Sequence, residues 1–506
     1  MTNNKIDKLK SIAKKIDLLK SKGEKVILCH GVFDLLHVGH IKYFEEAKSL
    51  GSILVVTLTP DKFVNKGPGR PAFNQKLRLE AIAALEVVDF VALNEWPTAV
   101  ETIKILKPNI YAKGPDYKNS KDDITGNINL EKDAIKSVGG KIAFTSDITF
   151  SSSKLINQRI PQLSNDQKNY VSKLKEKYTI NDVLGYVEKL NKLKVLMIGE
   201  VIIDEYVFCV SIGKSGKEPI LVNQKINSKK YAGGILSVAN HVSNFCGQGK
   251  VITFLGDRNS EIEFIKDNLN KNIKLDSIQK NNSPTILKTR FIDSYTNNKM
   301  VGIYDLNDDI LNTYEEEKLN KVLIKNIDNY DVVIVVDYGH GLITPKIVDS
   351  LEKHSKYLAV NTQLNSFNVG YHTISKYTKA DYVCVHEGEL RHDYRNRHDS
   401  VEHLTMKLAN RIKSEVITIT RGNAGSFVYK NGKSLLCPAY ADKVVDRVGA
   451  GDTLLSITAL CFALGFPEDL TLFLGNLAAA ETVASTGTGN KLDKVNLIKT
   501  VQTLFK

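Results

Sequence analysis

Two α/β domains, each built on a mainly parallel sheet, are what this 506-residue sequence predicts. Three observations carry that expectation. Short apolar runs alternate with amphipathic stretches from Lys25 to about Gln158, the alternation stops over a polar stretch from Pro161 to Leu193, and it resumes at Lys194 and runs to the end. Strand and helix patterns in alternation imply parallel strands with both faces covered, and a chain of this length exceeds one ordinary hydrophobic core.

The first alternation reads as the strand VILC, a turn, a helix from about Gly39, the strand ILVVTLT, a helix around Gln75 to Leu85, the strand DFVAL, a helix, NIYAKG, a helix and KIAFT. It predicts a doubly wound parallel-sheet domain over 1–160. Residues 161–193 carry helical periodicity and no strand signal, and are expected to be a helical connector that tethers two domains with separate cores. The second alternation opens with KVLMIGEVIID and has strands at DVVIVVD, YLAV, YVCV and VITIT. It predicts a second α/β domain over 194–506 with a small strand-built lid.

The composition, 42% hydrophobic and 25% charged, is that of a soluble globular protein. The net charge of +12 is dispersed, with no block of five or more basic residues, and reads as solvated surface rather than a nucleic-acid footprint. Cys29, Cys209, Cys246, Cys384, Cys437 and Cys461 include no C-x-x-C pair, so reduced buried thiols are expected rather than a zinc site or a disulfide framework. The N-terminal stretch lacks the continuous apolar segment of a signal peptide. The longest apolar run, around Leu454 to Leu464, is far short of the roughly 20 residues that span a bilayer. A cytoplasmic protein with neither a membrane nor a nucleic-acid partner is the expectation.

The segment CHGVFDLLHVGH, Cys29 to His40, follows a strand and enters a helix, which places it at the carboxyl edge of the sheet. His37 and His40 lie three residues apart at the helix entrance, beside N–H groups that attract phosphate. Gly39 between them lets a triphosphate approach the backbone. Attack of a phosphate oxygen on an α-phosphate builds negative charge that fixed donors and cations must stabilise.

H-x-G-H in this setting resembles the signature of the cytidylyltransferase-like nucleotidyltransferases. NKGPGRP with Lys66 and Arg70, KLRLEAIAAL with Arg78, YAKGPDY with Lys113, Gly114, Asp116 and Tyr117, and FSSSKLIN from Phe150 to Asn157 extend the match. Together they most resemble the adenylyltransferase half of the bifunctional heptose kinase and heptose-1-phosphate adenylyltransferase family. The resemblance implies His37, His40 and Lys66 as catalytic groups on phosphate, and Gly31, Phe33, Asp34, Gly39, Lys113, Gly114, Asp116 and Ser151, Ser152 and Ser153 about the nucleotide. Asp34 would brace the loop and Arg78 would support the site. His30 stands where the heptose enzymes carry Asn, and the related glycerol-3-phosphate cytidylyltransferases share much of the loop. ATP and CTP both stay open as nucleotidyl donors.

In the second domain DRVGAGDTL sets Gly449, Ala450 and Gly451 before Asp452 at the start of the apolar helix TLLSITALCFAL. Consecutive small residues at a helix N-terminus form a nest of N–H donors for a transferring γ-phosphate, and Asp452 is placed to take the proton of the attacking hydroxyl. G-A-G-D resembles the second signature of the ribokinase-like sugar kinases, and the likeness extends from Lys194 to about Asn490. It implies sugar contacts from Asp204, Gly233, Gly234, Ser237, Lys288 and Arg290. ATP contacts would come from Thr420, Gly422, Gly425, Gly449, Ala450, Gly451 and Asn476, with Gly487 beside the adenine, and Glu389 would serve Mg2+. DYGHG adds Asp337 and Gly341.

The closest resemblance is again to the heptose kinase half, here with the two halves in reversed order. The chain departs from it at Ser237 for Asn, at His386 for the Asn of N-x-x-E, and at Asn361, Thr362 and Gln363 for Asp-Pro-Lys. The expectation is a bifunctional enzyme, a homodimer or larger homo-oligomer acting on sugar phosphates and nucleotides in the synthesis of a nucleotide-activated sugar for lipopolysaccharide or capsule. The alternative is a cytidylyltransferase for a sugar or polyol whose kinase-like half is degenerate and serves binding or dimerisation.

Overall fold

The computed structural model describes residues 5–64, 70–114, 127–145, 163–442, 444–484 and 492–505. They fall into two compact units, Met1–Ser164 with Ile498–Lys506, and Asn165–Leu497.

In the first unit β1 (Val26–Gly31), β2 (Ile53–Leu58), β3 (Phe90–Leu93), β4 (Ile110–Lys113) and β5 (Lys141–Phe144) form one parallel sheet in the order β3-β2-β1-β4-β5. Successive side chains of a strand point to opposite faces. The run VILC accordingly sends Val26 and Leu28 into one core with Leu9, Ile12, Ile16 and Ile103, and Ile27 and Cys29 into another with Phe44, Ala47 and Ile82. A run of four apolar residues is therefore what a strand covered on both faces requires. The winding reverses between β1 and β4, and the crevice outside their carboxyl ends is where open α/β sheets take ligands.

The second unit contains β6 (Lys194–Gly199), β7 (Val201–Lys214), β8 (Leu221–Gly234), β9 (Gln248–Arg258), β10 (Ile273–Pro284), β11 (Ile286–Asp293), β12 (Lys299–Asp305), β13 (Val332–Asp337), β14 (Leu358–Thr362), β15 (Tyr382–His386), β16 (Val416–Thr420), β17 (Ser426–Lys430) and β18 (Lys433–Cys437). Nine of them make a sheet in the order β10-β9-β6-β13-β14-β15-β16-β17-β18, parallel as far as β16 and antiparallel at its last two pairings. The four apolar runs read as strands are β13 to β16. The lid is a separate four-stranded sheet, β12-β11-β7-β8. The apolar run after Asp452 forms the helix Ala450–Ala463, whose residues from Asp452 to Phe462 are all buried. Its hydrophobicity comes from lying inside the domain, and no helix among the described residues is long and apolar enough to cross a membrane. All six cysteines are free and buried.

The polar stretch expected as a connector forms the helices Asn165–Lys177 and Ile180–Lys189, the second started by a capping box between Thr179 and Asp182. From Asn165 onward these residues belong to the second unit. Asp469, near the start of the helix Glu468–Val483, takes the Lys177 ammonium at 2.6 Å and the Tyr178 hydroxyl at 3.0 Å, while its carbonyl accepts the Tyr170 hydroxyl at 2.8 Å. Tyr186 packs edge-on against Phe466 with ring centroids 4.8 Å apart. Polar residues that look like a tether in one dimension are thus spent on a mostly buried carboxylate. Asp469→Ala removes both side-chain bonds. We expect amide hydrogen exchange in Asn165–Lys189 to speed up by about tenfold or more, with the central sheet unaffected; unchanged exchange there would show that Asp469 does not hold the helices.

Candidate active sites

The first site is assembled at the carboxyl end of β1. Phe33 takes a left-handed backbone conformation, φ 46°, and turns its ring into the core beneath the loop, edge-on to His40 at 5.5 Å and against Phe44 at 5.0 Å. Its ring is thus packed against the helix that follows the loop. The helix Val38–Ser49 then begins with His37 as its cap, whose Nδ1 accepts the Gly39 N–H at 3.1 Å. An acceptor nitrogen carries no hydrogen, so neutral His37 holds its proton on Nε2. Partial burial pushes His37 below the usual histidine range. The His37 and His40 rings stack with centroids 4.0 Å apart, so the two imidazoles predicted to share one side do so.

Arg78 and Asp34 explain how the loop is held. The buried Arg78 guanidinium donates to the carbonyls of Phe73 (3.0 Å), Thr59 (3.0 Å) and Val32 and to Asp61 (2.5 Å). Four of its five donors are therefore committed to protein groups, which fits support of the site better than direct nucleotide contact. Asp34 is buried and accepts from Arg70 at 3.1 Å and from the Phe73 amide at 3.2 Å, which ties the loop to the segment before the helix Gln75–Ala83. At the end of β4, Lys113 pairs with buried Glu131 at 3.0 Å, and Tyr111 donates to the same carboxylate at 3.0 Å. Gly114 follows with open space where a side chain would stand, and Gly31 lies against the Phe33 ring. His30 is half-buried between Thr57 and Thr59, and burial pushes it down to about 3, so it is a neutral polar packing group. Lys66, Asp116, Tyr117 and Ser151 to Ser153 lie outside the described residues.

The second site is a cleft of about 910 Å³ between the nine-stranded sheet and the lid. Asp204, Gly234, Lys288 and Arg290 line it from the lid side, and Thr420, Gly422, Gly425, Gly449, Ala450, Gly451, Asp452, Asn476 and Glu389 from the sheet side. Gly449 caps the helix Ala450–Ala463 at φ 86°, a left-handed conformation that favours glycine, and starts the helix so that its first turn faces the cleft. Asp204 forms an ion pair with Arg290 and lies so close to Gly233 that a Cβ there would come within 2.2 Å of its Oδ2. Lys288 meets His340 Nε2 at 3.1 Å. Asn476 donates to Ser426 at 2.6 Å, and the missing side chain of Gly425 answers the Cys437 carbonyl. Gly233 and Ser237 are the expected sugar groups that lie off the cleft wall: Gly233 packs against Asp204, and Ser237 is buried in the helix Ile235–Ser243 with its hydroxyl 3.2 Å from His241. Gly487 lies outside the described residues.

Asp452 is buried, with Tyr338 donating to Oδ2 at 3.2 Å and Gln363 to Oδ1 at 2.5 Å. Burial raises its carboxyl to about 6, against the opposing effect of these two donors. Glu389 is raised to about 7, again chiefly by burial, although its two oxygens accept the His386 amide at 2.6 Å and the Leu364 amide at 3.1 Å. His386, the departure from N-x-x-E, caps the helix Glu387–Asp393 through Nδ1, which accepts the Gly388 N–H at 3.0 Å. It thereby does what an Asn at a helix cap does.

Three residues that sequence reasoning passed over organise this cleft. Glu200, fully buried at the end of β6, gathers the amides of Tyr338 and His340 at 3.1 Å each and of Leu342 at 3.3 Å. Tyr338 is itself a contact of Asp452. Asp446, six residues before Asp452, holds the Tyr206 hydroxyl of β7 at 2.8 Å and the Lys299 ammonium of β12 at 2.9 Å. The acidic residue just after a buried strand in MIGEV was the available signal for Glu200; Tyr206 and Lys299 had none, because their partner is 240 and 147 residues away.

The profile of the pfkB family carbohydrate kinases matches residues 192–495, more than half of the chain. The chain belongs to the pfkB family. A cytidylyltransferase-like profile matches residues 28–159. The bifunctional protein HldE of Aliarcobacter butzleri is 41% identical over 142 residues, 28% of this chain and 30% of that protein. HldE of Campylobacter jejuni is 43% identical over 121 residues, 23% and 26% of the two chains. The chain spans under a third of the length of these two curated relatives, and the matches fall in its N-terminal domain. Phosphofructokinase-2 of Escherichia coli in complex with potassium superposes with a TM-score of 0.51 and 13% identity, over 62% of this chain and all of its own. At that identity the likeness concerns fold alone: the pfkB unit has the expected ribokinase-like architecture.

Arg78→Lys keeps the charge but loses the planar fork, leaving buried carbonyls unmet. A loss of about 2–4 kcal/mol from the first unit is expected, read as an earlier urea midpoint for β1–β5 while the pfkB unit unfolds as before. An unchanged midpoint would remove the supporting role given to Arg78.

Proposed function

We propose that the chain is a bifunctional enzyme in which the pfkB unit phosphorylates a sugar or sugar phosphate from ATP and the first unit transfers a nucleotidyl group from ATP or CTP to a sugar 1-phosphate, releasing pyrophosphate. The observation that carries the kinase half is Asp452, a buried carboxylate raised to about 6 at the first turn of a buried helix, in a cleft shared with a lid. Such a group accepts a proton from a hydroxyl near neutral pH far better than an exposed aspartate. The helix N-terminus supplies donors for the γ-phosphate, and Lys288 and Arg290 supply positive charge from the lid side. In the first unit His37 and His40 stack at a helix entrance, at the sheet reversal where a nucleotide phosphate would lie.

Mg2+ fits the cleft. Among the described residues no cluster of three or more acidic, histidine or cysteine side chains is placed to hold a metal. Mg2+ that keeps its waters and rests on substrate phosphates needs only one or two carboxylates. Glu389 is such a carboxylate, and the buried Asn361 Oδ1 on the same wall has no partner among the described residues and suits a water of the hydrated ion. Bound there with ATP, the ion would neutralise developing phosphate charge. A product resembling ADP-heptose, a cytoplasmic location and a homodimer or larger homo-oligomer are part of this reading; the likeness of the N-terminal domain to bifunctional HldE proteins supports its two-activity core.

The test is a two-product assay on purified full-length protein with heptose phosphates, sugars and polyol phosphates, following pyrophosphate with ATP or CTP and ADP with ATP. His37→Ala should abolish pyrophosphate release and spare sugar-dependent ADP release. Asp452→Asn should do the reverse, with a loss of about 10²–10⁴-fold. A wild type that releases pyrophosphate but never ADP with any sugar would mark the pfkB unit as a binding or dimerisation module. A second expectation concerns pH. The base must be ionised, so ADP release should fall about tenfold per unit below pH about 6 and level off above it; a rate flat from pH 7 down to 5 would exclude Asp452 as the base.

A further inference from the structure

Gln363 stands where the resembling kinases carry lysine, and by sequence it counted against an active site. Its place in the fold argues otherwise. β14 ends at Thr362, and the Gln363 amide nitrogen is fixed on the Asp337 carbonyl at 3.0 Å. The side chain crosses the cleft floor to Asp452 Oδ1 at 2.5 Å, while the next amide, Leu364, lands on Glu389. Asn368 holds the Gln363 carbonyl at 3.2 Å. One short segment therefore touches both carboxylates assigned to the chemistry.

We propose that Gln363 is the positioning residue of the kinase reaction: its amide, paired with the Tyr338 hydroxyl on the other oxygen, fixes the Asp452 carboxylate in the plane and rotamer in which it receives the sugar hydroxyl's proton. This inference rests on the kinase reading. A carboxylate has about four acceptor positions, and one donor on each oxygen leaves one open position on each for the incoming hydroxyl. A neutral amide orients the group without the charge an ammonium would bring, so it neither stabilises the ionised form as strongly nor competes with Lys288 and Arg290 for phosphate.

The ionisable groups around Asp452 are few. Tyr338 faces it from the loop after β13, Asp204 from lid strand β7, and Glu389 and Cys384 from the β15 side. Lys288 and Arg290 face the same cleft from β11. The two acids oppose ionisation of Asp452, and Gln363 and Tyr338 are the donors that favour it. Losing the amide therefore moves the group upward, and an ammonium in its place moves it downward.

The experiment compares wild type, Gln363→Leu and Gln363→Lys as full-length proteins in sugar-dependent ADP release from pH 5 to 8. It is paired with ¹³C NMR titration of aspartate carboxyls, the Asp452 signal assigned by its loss in Asp452→Asn. For Gln363→Leu we expect kcat to fall about tenfold or more with KM for the sugar within about threefold, and the acid limb and the Asp452 resonance to move together to higher pH. Gln363→Lys should move both to lower pH, a shift that a packing role would not produce. Wild-type kcat and acid limb in Gln363→Leu, or equal shifts of kcat and KM with no movement of the limb in either variant, would overturn the role of Gln363 while leaving the kinase reading in place. Absence of sugar-dependent ADP release from wild type would instead overturn the kinase reading, and this inference with it.

Discussion

The carboxylate of Glu200, which solvent does not reach, accepts three backbone N–H groups from the stretch Tyr338 to Leu342, and the geometry of the kinase cleft follows from that anchor. Because this stretch is pinned, Tyr338 projects onto Asp452 and His340 onto Lys288. Burial, with Asp337 beside it, raises Glu200 to about 7, so keeping it ionised costs folding energy that the three amides offset only in part. Lys280, which buries its ammonium against the carbonyls of Asn307, Asp309 and His340, holds the same region from the opposite side. Buried charge thus holds the floor of the cleft from two directions.

Both folds were legible in the sequence because parallel strands covered on two faces leave an unmistakable record, continuous apolar runs such as VILC and DVVIVVD spaced by amphipathic helices. G-A-G-D and H-x-G-H were legible because a helix entrance needs particular residues at fixed spacing. What could not be read was long-range polar pairing. Asp469 binds Lys177 and Tyr178 across nearly 300 residues, and no local pattern distinguishes such tyrosines and lysines from a solvated face. The helices over 165–189 looked like a tether for that reason.

The departures from the family pattern are the most informative case. His386 and Gln363 looked like losses when compared residue by residue with Asn and Lys. In the structure His386 uses Nδ1 as a helix cap and Gln363 donates to Asp452, so both replacements are engaged at the site they were read as vacating. Ser237 is different, since its hydroxyl is spent on His241 inside the helix and the cleft wall continues without it. Substitution lists weigh these three equally, whereas the hydrogen bonds separate them.

Asp446 joins two strands of the lid to the segment that leads into Gly449. Its side chain is 6% exposed, while its partner Lys299 is 39% exposed. If the lid swings away, the Tyr206 hydrogen bond and the Lys299 ion pair are lost together, because one carboxylate holds both strands. The two lid strands are therefore tied through one carboxylate to the segment that enters Gly449, and a displacement of either strand is carried to the start of that helix.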